Sequence, residues 1–145
     1  MKSLDQFFSD DIRRKIFLRF GLPSSDSHEQ RVSNYSLLLF DSMTGKLNPE
    51  HEMRQLLYYS ALLHDIGYDV SARKHDTHTR RLILEDPLFD FCPQPERILL
   101  ALTAGGHRKK LGPELSQLSA KEQVTVKQLT GILRVADAID YPRDY

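Results

Sequence analysis

Apolar residues recur along this chain at mixed three- and four-residue steps, the period of helices that bury one face. Phe7, Phe8, Ile12, Ile16, Phe17 and Phe20 predict a helix over about 5–20, stopped by Gly21-Leu22-Pro23. His28, Val32, Tyr35 and Leu39 share a face of a second helix that begins near Asp26 or Ser27, both good N-caps. Gly45 to Asn48 breaks it. Asn48 then caps a third helix with Pro49 at its first position, and Leu57, Ala61 and His64 line one side of it. A fourth helix is expected from about Lys74 to Glu85, ended by Asp86-Pro87. Pro95 opens a fifth, with Leu99, Leu100, Thr103, Ala104 and His107 on one side. Residues 109–118 contain Gly112-Pro113 and read as a loop. Ser119 and Glu122 form a capping box for a last helix, where Leu129, Ile132, Leu133, Ala136, Asp137 and Asp140 cluster. No stretch reads as a strand. The expectation is an all-α fold, a bundle of roughly six helices, as a single domain over 1–145.

The informative positions are polar residues at the ends of these apolar stripes. His64–Asp65 closes the run Leu56-Leu57-Tyr58-Tyr59-Ser60-Ala61-Leu62-Leu63. Burying such a doublet is costly unless something pairs with it, and imidazole with carboxylate suits a first-row transition metal. Gly67 fits the end of that helix. Asp137 lies in the apolar stretch Ile132-Leu133-Arg134-Val135-Ala136-Asp137-Ala138-Ile139. His28 stands on the stripe of Val32 and Tyr35, and His107 closes that of the fifth helix. Each alone fits a hydrogen-bonded boundary residue as well as a ligand. Together they place a ligand-type side chain at the end of four apolar faces, which is how metal sites in helical bundles are assembled.

Composition narrows the class. Of 145 residues, 40% are hydrophobic and 28% charged, as in ordinary globular proteins. No apolar run approaches the roughly 20 residues of a membrane span, and the N-terminus lacks the apolar core of a signal peptide. A cytoplasmic location is the default expectation, with no membrane partner. The formal net charge is zero, which argues against general nucleic-acid binding. The single cysteine, Cys92, forbids an intramolecular disulfide and reads as a small apolar loop residue. Cations gather near histidines: Arg73-Lys74 before His75, Arg80-Arg81 after His78, and Arg108-Lys109-Lys110 after His107.

The order His28, His64–Asp65, Asp137 resembles the HD superfamily of metal-dependent phosphohydrolases. The closer resemblance is to the HD-type C-terminal domain of the exopolyphosphatase/guanosine-pentaphosphate phosphatase family. It is carried by Ser27-His28-Glu29-Gln30-Arg31-Val32, Tyr59 to Tyr68, His75-Asp76-Thr77-His78 with Leu82-Ile83-Leu84, His107-Arg108-Lys109, and Leu133 to Asp140, and it covers about 12–140. The resemblance implies that His28, His64, Asp65 and Asp137 bind one divalent ion. His78 and His107 would complete a second site, with His75 in an outer or substrate-contacting position. Gly105-Gly106 stands where the subgroup usually has bulkier residues, and either a wider cleft or an altered second site is expected from it. In the family this domain follows an actin-like, two-lobed phosphatase domain that carries the polyphosphate chemistry; these 145 residues include no counterpart.

The implied chemistry is hydrolysis of a nucleotide or another phosphoanhydride or phosphoester. One or two transition-metal ions (Mn, Fe, Zn, Co or Ni) would acidify water for in-line attack on phosphorus. Asp65, His78, His107 and Arg108 are the candidate catalytic residues. His75, Arg81, Arg108 and Lys109 are the candidates for holding phosphate oxygens. The partner is a small phosphorylated substrate, and a homodimer is compatible with the chain. Two other readings stay open: a non-catalytic metal-containing module that binds a phosphorylated ligand or docks on an exopolyphosphatase-type subunit, and a helical scaffold whose histidines only hydrogen-bond.

Overall fold

The protein is described from a computed structural model over residues 1–22, 27–43, 51–106 and 112–140. Within these residues it is all-α. Six α-helices follow in order: α1 Asp10–Phe20, α2 His28–Ser42, α3 His51–Leu63, α4 His75–Glu85, α5 Glu96–Gly105 and α6 Ala120–Ile139. Short 3-10 turns at Leu4–Gln6, Ile66–Asp69, Pro87–Phe89 and Pro113–Gln117 lie between or before them.

Helix ends follow local chemistry. The Ser27 hydroxyl accepts from the Gln30 N–H, and Ser119 with Glu122 closes a reciprocal capping box. The expected helix over 5–20 divides in two. Ser9 adopts an extended conformation and caps α1 through the Ile12 N–H, so Phe7 and Phe8 precede the helix rather than belong to it. Phe8 is buried and stacks on Tyr59, which is why its spacing mimics the stripe of α1. Gly21 ends α1 at φ 62°, a conformation glycine adopts without strain. The expected Asn48-Pro49 cap of α3 lies outside the described residues.

α5 is apolar on every side, and residues 98–105 are all buried. That is the pattern of a central helix. α3, α4 and α6 pack against it, and α2 lies across α3 and α6. Leu57, Leu99, Leu100, Leu129 and Leu133 are fully buried where these helices meet. The α4–α5 contact is close because of Gly105. A Cβ there would stand 2.8 Å from the Arg80 Cβ and 3.0 Å from the Asp76 carbonyl. The glycine therefore admits a neighbouring helix, and the expected widening of the cleft does not arise at this position.

A candidate metal centre where helix ends converge

α3 stops at Leu63, and the chain leaves it through His64 and Asp65 into the 3-10 turn at Ile66–Asp69. The turn is held against α4. The buried Thr79 hydroxyl donates to the His64 carbonyl at 3.2 Å and accepts the Gly67 N–H at 2.9 Å. Gly67 is required by this approach, since a Cβ would collide with the His75 carbonyl. It lies just past the end of α3, as expected, but without a left-handed conformation; among described glycines only Gly21 has positive φ.

This turn delivers His64 and Asp65 to the first residue of α2 and the last turn of α6. His28 Nε2 lies 3.3 Å from His64 Nε2, 3.4 Å from Asp65 Oδ2 and 3.0 Å from Asp137 Oδ1. His64 Nε2 is 3.5 Å from Asp65 Oδ2 and 3.4 Å from Asp137 Oδ1. His28, His64 and Asp65 are buried, and Asp137 is nearly so. Of four residues singled out in the sequence, His28, His64 and Asp65 thus bring ligand atoms within 4.8 Å of one another, and Asp137 stands against both rings.

The proton positions on the two rings follow from their outer contacts. His64 Nδ1 stands 2.6 Å from the Ala61 carbonyl, which can only accept, so Nδ1 carries the hydrogen. His28 Nδ1 stands 2.7 Å from Asp140 Oδ2. Although burial alone would raise the Asp140 pKa, hydrogen bonds from Arg31 and His28 outweigh it and hold the carboxyl below its usual range, so His28 Nδ1 is the donor. Each ring thereby turns its Nε2 inward, toward the other ring and the carboxylate oxygens of Asp65 and Asp137. Such a group is stable only with a positive charge inside it. The His64 pKa reflects this: burial opposes charging, yet the carboxylates of Asp65 and Asp137 prevail and raise it. A proton can serve. A metal ion can serve as well, because donors at about 2.0–2.2 Å from a common ion lie about 2.8–3.6 Å apart at right-angled or tetrahedral positions. The separations above fall in that range, and His28, His64 and Asp65 form a group that could hold a metal ion.

Arg31 and Asp140 complete the surroundings of His28. Arg31 Nε donates to Asp140 Oδ1 at 2.8 Å, leaving Oδ2 for the histidine. A carboxylate behind a ligating histidine fixes its tautomer and ring plane. Neither residue stood out as a site residue in the sequence. The available signal was spacing: Arg31 lies three residues after His28, and Asp140 three after Asp137.

The remaining candidates separate. His75, first residue of α4, is buried with Nε2 3.3 Å from Asp65 Oδ1, the carboxylate oxygen turned away from His28 and His64. His78 instead lines a surface hollow of about 390 Å³ with Val70, Arg81, Leu82, Glu85 and Asp86. It is not part of the ligand-type group of His28, His64 and Asp65 found among the described residues. Arg81 is exposed and faces Glu85 at 3.7 Å. His107, Arg108 and Lys109 lie outside the described residues. Cys92 is buried, and burial with Glu96 nearby pushes its thiol up to about 12, so it carries no thiolate chemistry at neutral pH. No helix among the described residues is long and apolar enough to cross a membrane.

This arrangement defines a helical domain built around a histidine–aspartate cluster. The family model described as Ppx/GppA phosphatase, domain III, matches residues 24–144, and the chain belongs to that family.

Proposed function

We propose that this protein is a metal-dependent phosphohydrolase acting on a nucleotide or another small phosphoanhydride or phosphoester. The observation that carries the reading is the convergence of His28 Nε2, His64 Nε2 and Asp65 Oδ2, with Asp137 Oδ1 against both rings and both Nδ1 atoms engaged by outer partners. When bound there, a divalent ion supplies Lewis acidity for acidifying water and screening phosphate charge. The chain's own residues do the rest. His28 and His64 present Nε2, while Asp140 with Arg31 and the Ala61 carbonyl hold the two rings in register. Asp65 offers one oxygen to the cluster and the other to His75. Phosphate oxygens need cations, and Arg108 and Lys109, next to His107 in the sequence, are the proposed ones.

A second reading has its own support. The matching family model describes the third domain of a phosphatase. On that reading the cluster holds a structural ion, and the domain binds a phosphorylated ligand or docks on a phosphatase subunit.

One experiment decides between them. Purified protein is loaded with Mn, Fe, Zn, Co or Ni and screened for phosphate or nucleotide release from nucleotides, inorganic polyphosphate and phosphomonoesters, with Asp65→Ala as control. The hydrolase reading expects metal-dependent turnover that the variant lacks. Metal content and ligand binding without turnover across the panel would establish the module instead.

A further inference from the structure

We propose that Tyr68 is a positioning residue that fixes the His75 imidazole in the plane where its Nε2 meets Asp65. The Tyr68 ring lies flat on the His75 ring, with centroids 4.1 Å apart and planes 17° apart. His75 Nε2 stands 3.3 Å from Asp65 Oδ1, and the other oxygen of Asp65 faces His28 and His64. Tyr68 therefore reaches the cluster through one ring and one carboxylate.

Tyr68 is 41% exposed, so burial alone gives it a small return. A histidine ring rotates about a broad χ2 with two shallow wells, so an unrestrained His75 would swing Nε2 off Asp65. A second ring laid parallel on it removes that freedom on one side. The backbone enforces the pairing. Tyr68 sits in the turn Ile66–Asp69, its N–H bonded to the Asp65 carbonyl at 3.1 Å. Gly67 brings the same turn against the His75 backbone. Asp65, Tyr68 and His75 are thereby set by one close contact between the turn and α4. The consequence for metal rests on the reading of the cluster as a metal site; the stacking itself does not.

The test uses the full chain with Tyr68→Leu, Tyr68→Met, Tyr68→Phe, His75→Ala and the Tyr68→Leu/His75→Ala double variant. Zn2+ affinity is measured by competition with a chromophoric chelator, and the His75 ring protons are followed by NMR. Tyr68→Phe should hold Zn2+ within about twofold of wild type, because it keeps the ring. Tyr68→Leu and Tyr68→Met should weaken Zn2+ by about 10–100-fold, the usual effect of losing an outer partner of a ligand. The double variant should be no weaker than His75→Ala, since Tyr68 acts through that ring. The ring-current shift of the His75 protons should persist in Tyr68→Phe and vanish in Tyr68→Leu. Wild-type affinity in the leucine and methionine variants overturns the proposal. So does a loss that adds in full to His75→Ala, or a phenylalanine variant as weak as leucine. If wild type itself holds no Zn2+, the NMR shift alone decides: its survival in Tyr68→Leu overturns the positioning role, and the metal reading is judged by the other ions.

Discussion

Two polar clusters join distant parts of this chain, and they differ in what they lack. Near the N-terminus, Arg13 donates to the Tyr59 hydroxyl at 2.6 Å and reaches Asp5 at 3.4 Å, and Tyr59 donates to Asp5 at 2.6 Å. Cation, hydroxyl and anion meet through the Arg13 Nη2, while the buried Arg13 Nε has no hydrogen-bond partner among the described residues. The cluster braces the first turn against α3, with Phe8 stacked on the Tyr59 ring at 3.9 Å. At the other cluster, the Nε2 atoms of two imidazoles and oxygens of two carboxylates face inward, with no lysine or arginine among the described residues between them. The first cluster carries its own cation. In the second, the balancing positive charge is a proton or a bound ion. Polar burial by itself does not mark a functional site. Inward-facing ligand atoms with no lysine or arginine to balance them do.

The largest expected effect tests that difference directly. At free metal about a thousandfold above Kd, binding adds about 4 kcal/mol of stability by linkage. Stripping the ion with a chelator should therefore lower Tm by several degrees, and returning it should restore the loss. Asp65→Ala should contain no metal and show no response to chelator. A wild-type Tm indifferent to chelator, with metal retained by the variant, would erase the distinction between the two clusters.

Much of the second cluster was legible in the sequence because its members are polar residues ending apolar stripes. His28, His64, Asp65 and Asp137 each break a helical pattern that otherwise predicts core. The helices were legible for the same reason, and Ser27, Pro95 and the Ser119–Glu122 box marked three of their starts. What was not legible depends on rotation and on long-range pairing. His75 and His78 are three residues apart on one helix, and periodicity alone does not say which one faces Asp65. The answer lies in the buried series His75, Thr79, Ile83, which fixes the inner face of α4 and turns His78 outward with Arg81. Asp140 falls on the same side of the last helix as Asp137, but its role was not legible because its partners, His28 and Arg31, lie at the opposite end of the chain. The break at Ser9 was hidden because Phe8, packed on Tyr59 from outside the helix, continues the spacing of α1.

An intermediate effect sharpens the comparison by altering the cluster without touching a proposed ligand. Asp140→Asn keeps the shape of the side chain but removes the charge that fixes the His28 tautomer. Metal affinity should fall by about 10–100-fold, the scale of an outer carboxylate behind a ligating histidine. The loss should be visible as a higher metal concentration needed for half-maximal thermal stabilisation. An unchanged titration midpoint would mean that His28 is oriented by packing alone, or that it does not ligate.

The smallest effect belongs to the first cluster. Tyr59→Phe removes one hydroxyl that both accepts and donates, at a cost of about 1 kcal/mol, and should leave metal content and chelator response as in wild type. Its pH dependence identifies the group. The Tyr59 pKa is raised above its ordinary value, first because burial penalises the phenolate and then because the hydroxyl donates to the Asp5 carboxylate, with Arg13 opposing. A raised folded-state pKa means that the unfolded chain loses this proton first. The stability it contributes is complete below about pH 10, the ordinary tyrosine value, and declines as pH rises past it. Tyr59→Phe has no such proton to lose. The gap in Tm between wild type and Tyr59→Phe should therefore narrow between pH 9 and about pH 11 while the chelator response stays alike in both. A gap constant across that range would show that the hydroxyl ionises as freely in the folded protein as in the unfolded chain. A changed chelator response would show that the two clusters are coupled through α3, which carries Tyr59 and leads directly into His64.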